Sequence, residues 1–373
     1  AESWRAGNPC LEQADAEKPP KLKPEKIANI AFSMEGLAAI GLPDAALRTF
    51  PAEMQQGMIE AVRALKLGDT QESAPEHWDL GGPANAPFDM LLFLHTGSDP
   101  DDNSAIDAYV AEQKASMDGR GIEVVYDERG GRRADDKEHF GFKDGIAQPP
   151  VFGINIYNKH GQPIKNPVKT GEFILGYPSQ YNLYPVSPAL PREADPEDIL
   201  PPLNNPQPLY PLYRPGALKD LGANGTYVVF RKLRQHVAAF WRFLIEETQR
   251  ADGTVNAERV IWMASKYVGR WPNGDPMVPE PDKLRDQDEF YYAERDLHGE
   301  QCPFGSHLRR SNPRDVFHPA NPEISLETTA KHRIIRRGRN FGAHLFDPAG
   351  LDKPTAEVLA MLHALEDDDQ PRG

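Results

Sequence analysis

The chain is poor in cysteine, in long apolar runs and in positive charge, and each shortage removes a class of protein. Cys10 and Cys302 are its only cysteines in 373 residues. Two thiols are too few for a disulfide scaffold or a thiolate metal cage, and reduced thiols in a cytoplasm are the expectation. No apolar run approaches the roughly 20 residues that span a bilayer. The start, AESWRAGNPC, has neither the basic segment nor the apolar stretch of a secretory signal, although a start without Met is compatible with a removed leader. Lys and Arg total 42 against 56 Asp and Glu, a formal net charge of −14. That field repels phosphate backbones and anionic lipid, so neither nucleic acid nor a membrane is an expected partner. No short-period repeat is visible.

What the chain has in plenty is proline, 36 residues, and glycine, 30. The prolines crowd between Tyr184 and Asp220, as PVSPALP, ILPPLNNPQPLYPLY and RPG, where missing donors forbid regular ladders and predict a long extended connection. Its position divides the chain into residues 1–180, a connection over 181–222, and residues 223–373. The length suits two such halves. In the first, Ile27 to Phe32 reads as a strand, Met34 to Leu42 as a short helix, and Pro51 to Leu65 as a second. FDMLLFLHTG follows as a buried strand. DPDDNSAIDAYVAEQKAS is an amphipathic helix with Ile106, Tyr109, Val110 and Gln113 on one side, and GIEVVYDERGG is a strand. In the second half GTYVVFRKL and AKHRIIRRG read as strands, with QHVAAFWRFLIEETQ and ERVIWMASKYVG as helices. The fold class is therefore α+β, two related halves with antiparallel sheets and helices on one face.

Three windows carry chemistry. In GFKDG, Gly141 and Gly145 allow positive φ and close approach of a ligand, so the carboxylate of Asp144 can be aimed into a cavity; the same pattern describes an ordinary turn. In CPFGSHLRRSNPRD, His307 is followed by Arg309 and Arg310. A neutral imidazole suits axial ligation of iron, and nearby cations suit an anionic cofactor such as haem with its propionates; a satisfied surface or core histidine is the bland alternative. In HRIIRRGRNFG, Arg336 stands where a strand pattern breaks toward Gly338, either projecting into a pocket or decorating a solvated edge strand. His236, spaced with Phe240, Phe243 and Leu244, is a rival ligand on an apolar helix face. Trp241, Trp262 and Trp271 are expected mostly in the core.

Taken together, GFKDG with IAQP behind it, NGTYVVFRKLRQHVAAFWRFL, YVGRWPNGDPMV, CPFGSHLRRSNPRD and HRIIRRGRNFG resemble, in that order, the dye-decolorizing peroxidase family. The resemblance runs from about Ile27 to about Phe346. It implies two ferredoxin-like halves of the dimeric α+β barrel type, with haem b (iron protoporphyrin IX) lodged in the C-terminal half. It places Asp144 and Arg336 on the distal side as catalytic groups and His307 as the iron ligand. Arg336, Arg309, Ile146 and Gln148 are then expected to line or hold the cofactor. The implied activity is reduction of hydrogen peroxide with oxidation of dye-like or phenolic donors; the alternative is a haem-handling protein with little turnover. The family's opening strand, and its apolar strand and helix beyond RRGRNFG, find no counterpart here. The chain accordingly reads as a fragment, completed by a second polypeptide or copy or lacking its ends.

Overall fold

The computed structural model describes residues 25–97, 102–154, 166–204, 217–278, 288, 290–318, 320–366 and 372–373. Compact packing divides the described residues between two units. One is drawn from Ala1–Asp127, Val151–Ile154 and Lys169–Lys232, the other from Glu128–Pro150, Asn155–Val168 and Leu233–Gly373. The GFKDG loop, expected with the N-terminal half, therefore belongs to the same unit as His307 and Arg336.

In the first unit, β1 (Lys26–Phe32) pairs antiparallel with β2 (Met90–Thr96), from Lys26 opposite Thr96 to Phe32 opposite Met90. The helix Ser104–Met117 packs on β2. Its expected inner face is the observed one: Tyr109 is buried, and Ile106, Val110 and Gln113 are partly covered. The helix expected over 51–65 is two, Ala52–Gln56 and Ala61–Leu67. The break falls at Gly57, whose φ of 70° lies outside the helical region and is cheap only for glycine. The Pro-rich stretch holds more than a connection. There β3 (Ala189–Pro191) pairs antiparallel with β4 (Leu218–Asp220). Buried Lys219 lies 3.6 Å from buried Asp195 and also pairs with Asp198. Residues 205–216 of that stretch lie outside the described residues.

In the second unit the helices Val237–Thr248 and Ala257–Val268 pack on each other and on Ala356–His363. Asn256 caps the second by accepting from the Arg259 amide at 3.0 Å, which satisfies one of the free donors of the first turn. The core gathers Val237, Trp241, Leu244, Val260, Ile261 and Ala264 with Phe142, Phe346, Leu351 and Leu362. Trp241 alone of the three predicted core tryptophans is fully buried; Trp262 and Trp271 are exposed. His236 is also not where the helical spacing puts it. The helix begins one residue later, so His236 is an exposed N-cap and the inner face starts at Val237.

The expected strands at GIEVVYDERGG, GTYVVFRKL and AKHRIIRRG join no named sheet among the described residues, and Ala330 of the last closes the helix Pro322–Ala330. Ile122, Val124, Val125, Val228, Val229, Ile334 and Ile335 are exposed there. Alternation selects an extended backbone, whereas a ladder also needs a neighbour in register. The class is α+β with small antiparallel sheets, and no barrel forms among the described residues. No helix among them is long and apolar enough to cross a membrane.

Candidate active site

The Asp144 loop is held from inside. Phe142, two residues earlier, enters the core and stacks on Trp241, centroids 6.5 Å apart and rings 8° from parallel. Glu138 takes the loop's amides, its two carboxylate oxygens accepting from Phe140 N and Phe142 N at 2.9 Å each, with Gln235 donating at 2.5 Å. Burial pushes the Glu138 carboxyl up, against those bonds, and the charge on Asp144 pushes it further. The Asp144 amide donates to Asp136 O at 2.8 Å. Gly141, at φ 98°, has no room for a side chain: a Cβ there would lie 2.2 Å from Leu351. Both glycines of the motif have the positive φ their positions predict, Gly145 at 75°. The carboxylate itself is exposed beside Gly338, where an added Cβ would stand 3.2 Å from its Oδ2.

His307 opens the short helix His307–Ser311, capped by Ser306, whose Oγ accepts from Arg309 N at 3.3 Å. Its Nε2 is 3.1 Å from Nη1 of Arg336. An arginine can only donate, so Nε2 is the unprotonated nitrogen and its electron pair faces Arg336. Partial withdrawal from water lowers the pKa of His307 first, the Arg336 cation lowers it further, and the Asp144 carboxylate offsets part of the drop. The imidazole is thus kept neutral at ordinary pH, and all three predicted groups share one electrostatic neighbourhood.

The other predicted residues divide. Gln148 is at the cluster, donating to Arg336 O at 3.3 Å and accepting from Arg337 at 2.6 Å. Ile146 is half-buried just past the loop. Arg309, expected to face an anionic cofactor, is instead buried and spent. It pairs with Asp296 at 3.0 Å, bonds the carbonyls of Asp296, Leu297 and Cys302, and lies over the Tyr292 ring. A cation with no outlet to solvent must be paired where it is. Arg333, unremarked in the sequence, is the opposite. It is half-buried with no ion pair among the described residues, and desolvation together with Arg314 depresses its pKa to about 10. Glu138 also escaped the motif reading; a carboxylate serving amides two and four residues on leaves no periodic trace.

These donors fit haem better than a bare ion. Among the described residues no group of three or more His, Cys, Asp and Glu converges to hold a metal. A porphyrin would ask the protein for a single neutral imidazole, which His307 could supply, and for cations toward its carboxylates, for which Arg333 and Arg336 are the candidates.

No family model matches the chain. It is 28% identical over 357 residues to a dye-decolorizing peroxidase of Mycena epipterygia, covering 90% of this chain and 56% of that one. Its fold matches the crystal structure of AauDyP complexed with imidazole at a TM-score of 0.64 and 22% identity, over 95% of this chain and 68% of that one. It also matches a dye-decolorizing peroxidase solved with 2,6-dimethoxyphenol, at a TM-score of 0.62 and 21% identity. The fold is that of the dye-decolorizing peroxidases. The chain resembles them in sequence along most of its length, and it spans a little over half of the curated relatives it matches.

Proposed function

We propose that this chain is a haem-dependent peroxidase that reduces hydrogen peroxide and oxidises dye-like or phenolic donors. The observation that carries the proposal is the meeting of a neutral imidazole, a guanidinium and a carboxylate within one unit, with His307 Nε2 and Arg336 Nη1 3.1 Å apart. Support for the donor class comes from the relative solved with 2,6-dimethoxyphenol.

His307 is the residue that would hold the iron, giving it the electron pair now shared with Arg336; Arg333 and Arg336 would hold the carboxylates. Bound haem supplies the two-electron redox chemistry that no side chain here offers. The chain's own part is proton handling and charge. Asp144 takes a proton from one peroxide oxygen and returns it to the other, a role that needs an ionised, accessible carboxylate on a fixed loop. Arg336 stabilises negative charge developing on the departing oxygen. Gly338 leaves room beside the carboxylate.

The test is spectroscopic and kinetic. Haem-loaded protein should show a Soret band that shifts on adding peroxide. Asp144→Asn should retain haem and lower peroxide-dependent dye oxidation by about 10²–10⁴-fold. Haem binding without turnover in the unaltered protein would instead favour a haem-handling role. An unchanged spectrum in His307→Ala would refute the axial assignment.

A further inference from the structure

We propose that His139 and His344 form a positioning clamp: their neutral rings, in contact and tilted to each other, hold the Asp144 loop against the Arg336 segment, and protonation of either ring loosens both. The argument starts from placement. His139 is the fifth residue before Asp144 and His344 the eighth after Arg336. Their ring centroids are 4.2 Å apart at 31°. His139 is fully buried, and its Nε2 meets Phe341 O at 2.9 Å. A carbonyl only accepts, so that nitrogen carries the hydrogen and Nδ1 carries the electron pair. The Nδ1 atoms of both rings are buried without a hydrogen-bond partner among the described residues. Around this pair the two segments are tied once more, by Asn340 Nδ2 donating to Lys137 O at 3.0 Å and by the Gly131–Asn340 bridge.

A proton added to His139 Nδ1 would lie buried with no hydrogen-bond acceptor among the described residues and with the His344 ring beside it. The surrounding charges oppose it as well. From the chain before the loop come Arg133 and Asp135, and from the chain's last described residues comes Arg372; Asp135 favours the proton on His344, and the backbone oxygens of Phe341 and Gly373 favour it on His139, without offsetting burial. Nearby Lys137 and Asp347 are already paired, with Asp352 and Arg133 respectively. Burial first, then His139, lowers His344 to about 4, and burial lowers His139 in the same direction. A group depressed in the folded state keeps its full contribution above its ordinary value, about 6.5. It loses that contribution as the pH falls from there toward about 4. The clamp is therefore closed at neutral pH and strained in mild acid, where the unfolding constant should rise up to about tenfold per pH unit for each depressed ring.

The clamp rests on the peroxidase reading only for what its loops do; it is measured on the full chain without haem, so the two readings fail separately. Two experiments decide it. In the first, amide exchange corrected for its intrinsic pH dependence should show Phe142 and Asp144 losing protection between about pH 7 and about pH 5. His344→Phe, which keeps a ring against His139 and removes one of the two titrating groups, should retain part of that protection and make the fall in thermal midpoint shallower, the remainder belonging to His139. Equal protection at both pH values, or a variant whose midpoint falls in parallel with the unaltered protein, overturns the proposal. In the second, which needs no variant, the His344 ring proton should titrate well below the ordinary imidazole range. Titration near 6.5 would overturn the proposal equally.

Discussion

Two stretches of the second unit meet at the candidate site and are built on opposite plans. Residues 290–315, which carry His307, are locked by buried charge. Arg309 pairs with Asp296, Arg314 bonds Asp288 at 2.6 Å and Phe290 O at 3.2 Å, and Asp315 accepts from the amides of Tyr292 and Ala293. Residues 332–342, which carry Arg336, are mostly exposed and are held at a few points by Gln148, the Asn340 bridge and Asn340's bond to Lys137 O. The contrast separates two demands on one site. On the proposed reading, a histidine that would hold the iron needs a fixed frame, and a guanidinium that would exchange one partner for another needs an open segment.

Breaking the locked side should cost most. Asp296→Ala strands Arg309 as an uncompensated buried cation and should lower unfolding stability by about 3–5 kcal/mol in a urea titration. Next comes Gly141→Ala, which asks an L side chain to adopt φ 98° and to overlap Leu351; strain and overpacking together should cost about 2–4 kcal/mol. The open side should respond weakly. Arg333→Met removes a half-desolvated cation with no ion pair among the described residues and should leave stability unchanged or raise it by up to about 1 kcal/mol; a loss of several kcal/mol would show that the open segment is locked too. Smallest in stability is Arg336→Leu, within about 0.5 kcal/mol. It should nevertheless raise the pKa of His307 in an NMR titration, because the cation that lowers it is gone.

The motifs marked the candidate groups better than the scaffold around them. Asp144, His307 and Arg336, which the structure brings into one neighbourhood, were legible because each sits near a glycine, a proline or a second cation that marks a special backbone or charge; Gln148 came only from the resemblance. Arg309 misled for the same reason. Beside His307 in sequence it looks like a cofactor contact, but a helical neighbour two residues on points elsewhere, and Asp296 was waiting thirteen residues back. The two central helices were legible in their 3.6-residue rhythm, while His236 fell one residue outside its helix and so left the face its spacing predicts. The segments at GIEVVYDERGG, GTYVVFRKL and AKHRIIRRG were read as strands and join no named sheet among the described residues, since pairing depends on residues far off in sequence. Glu138, Arg333 and the His139–His344 pair depend on distant partners or on the lack of one, which no local pattern records.

Gln148 touches two adjacent, chemically identical residues with the two ends of one amide: its nitrogen takes the carbonyl of Arg336, its oxygen the side chain of Arg337. It works as a phase marker for the segment. Should the backbone slip by a single residue, mass, charge and composition would be untouched and an arginine would still follow Ile335, yet the guanidinium offered to His307 would be the wrong one. The position of the charge matters as much as its presence, and Gln148 keeps the count together with the Asn340 contacts further along the segment.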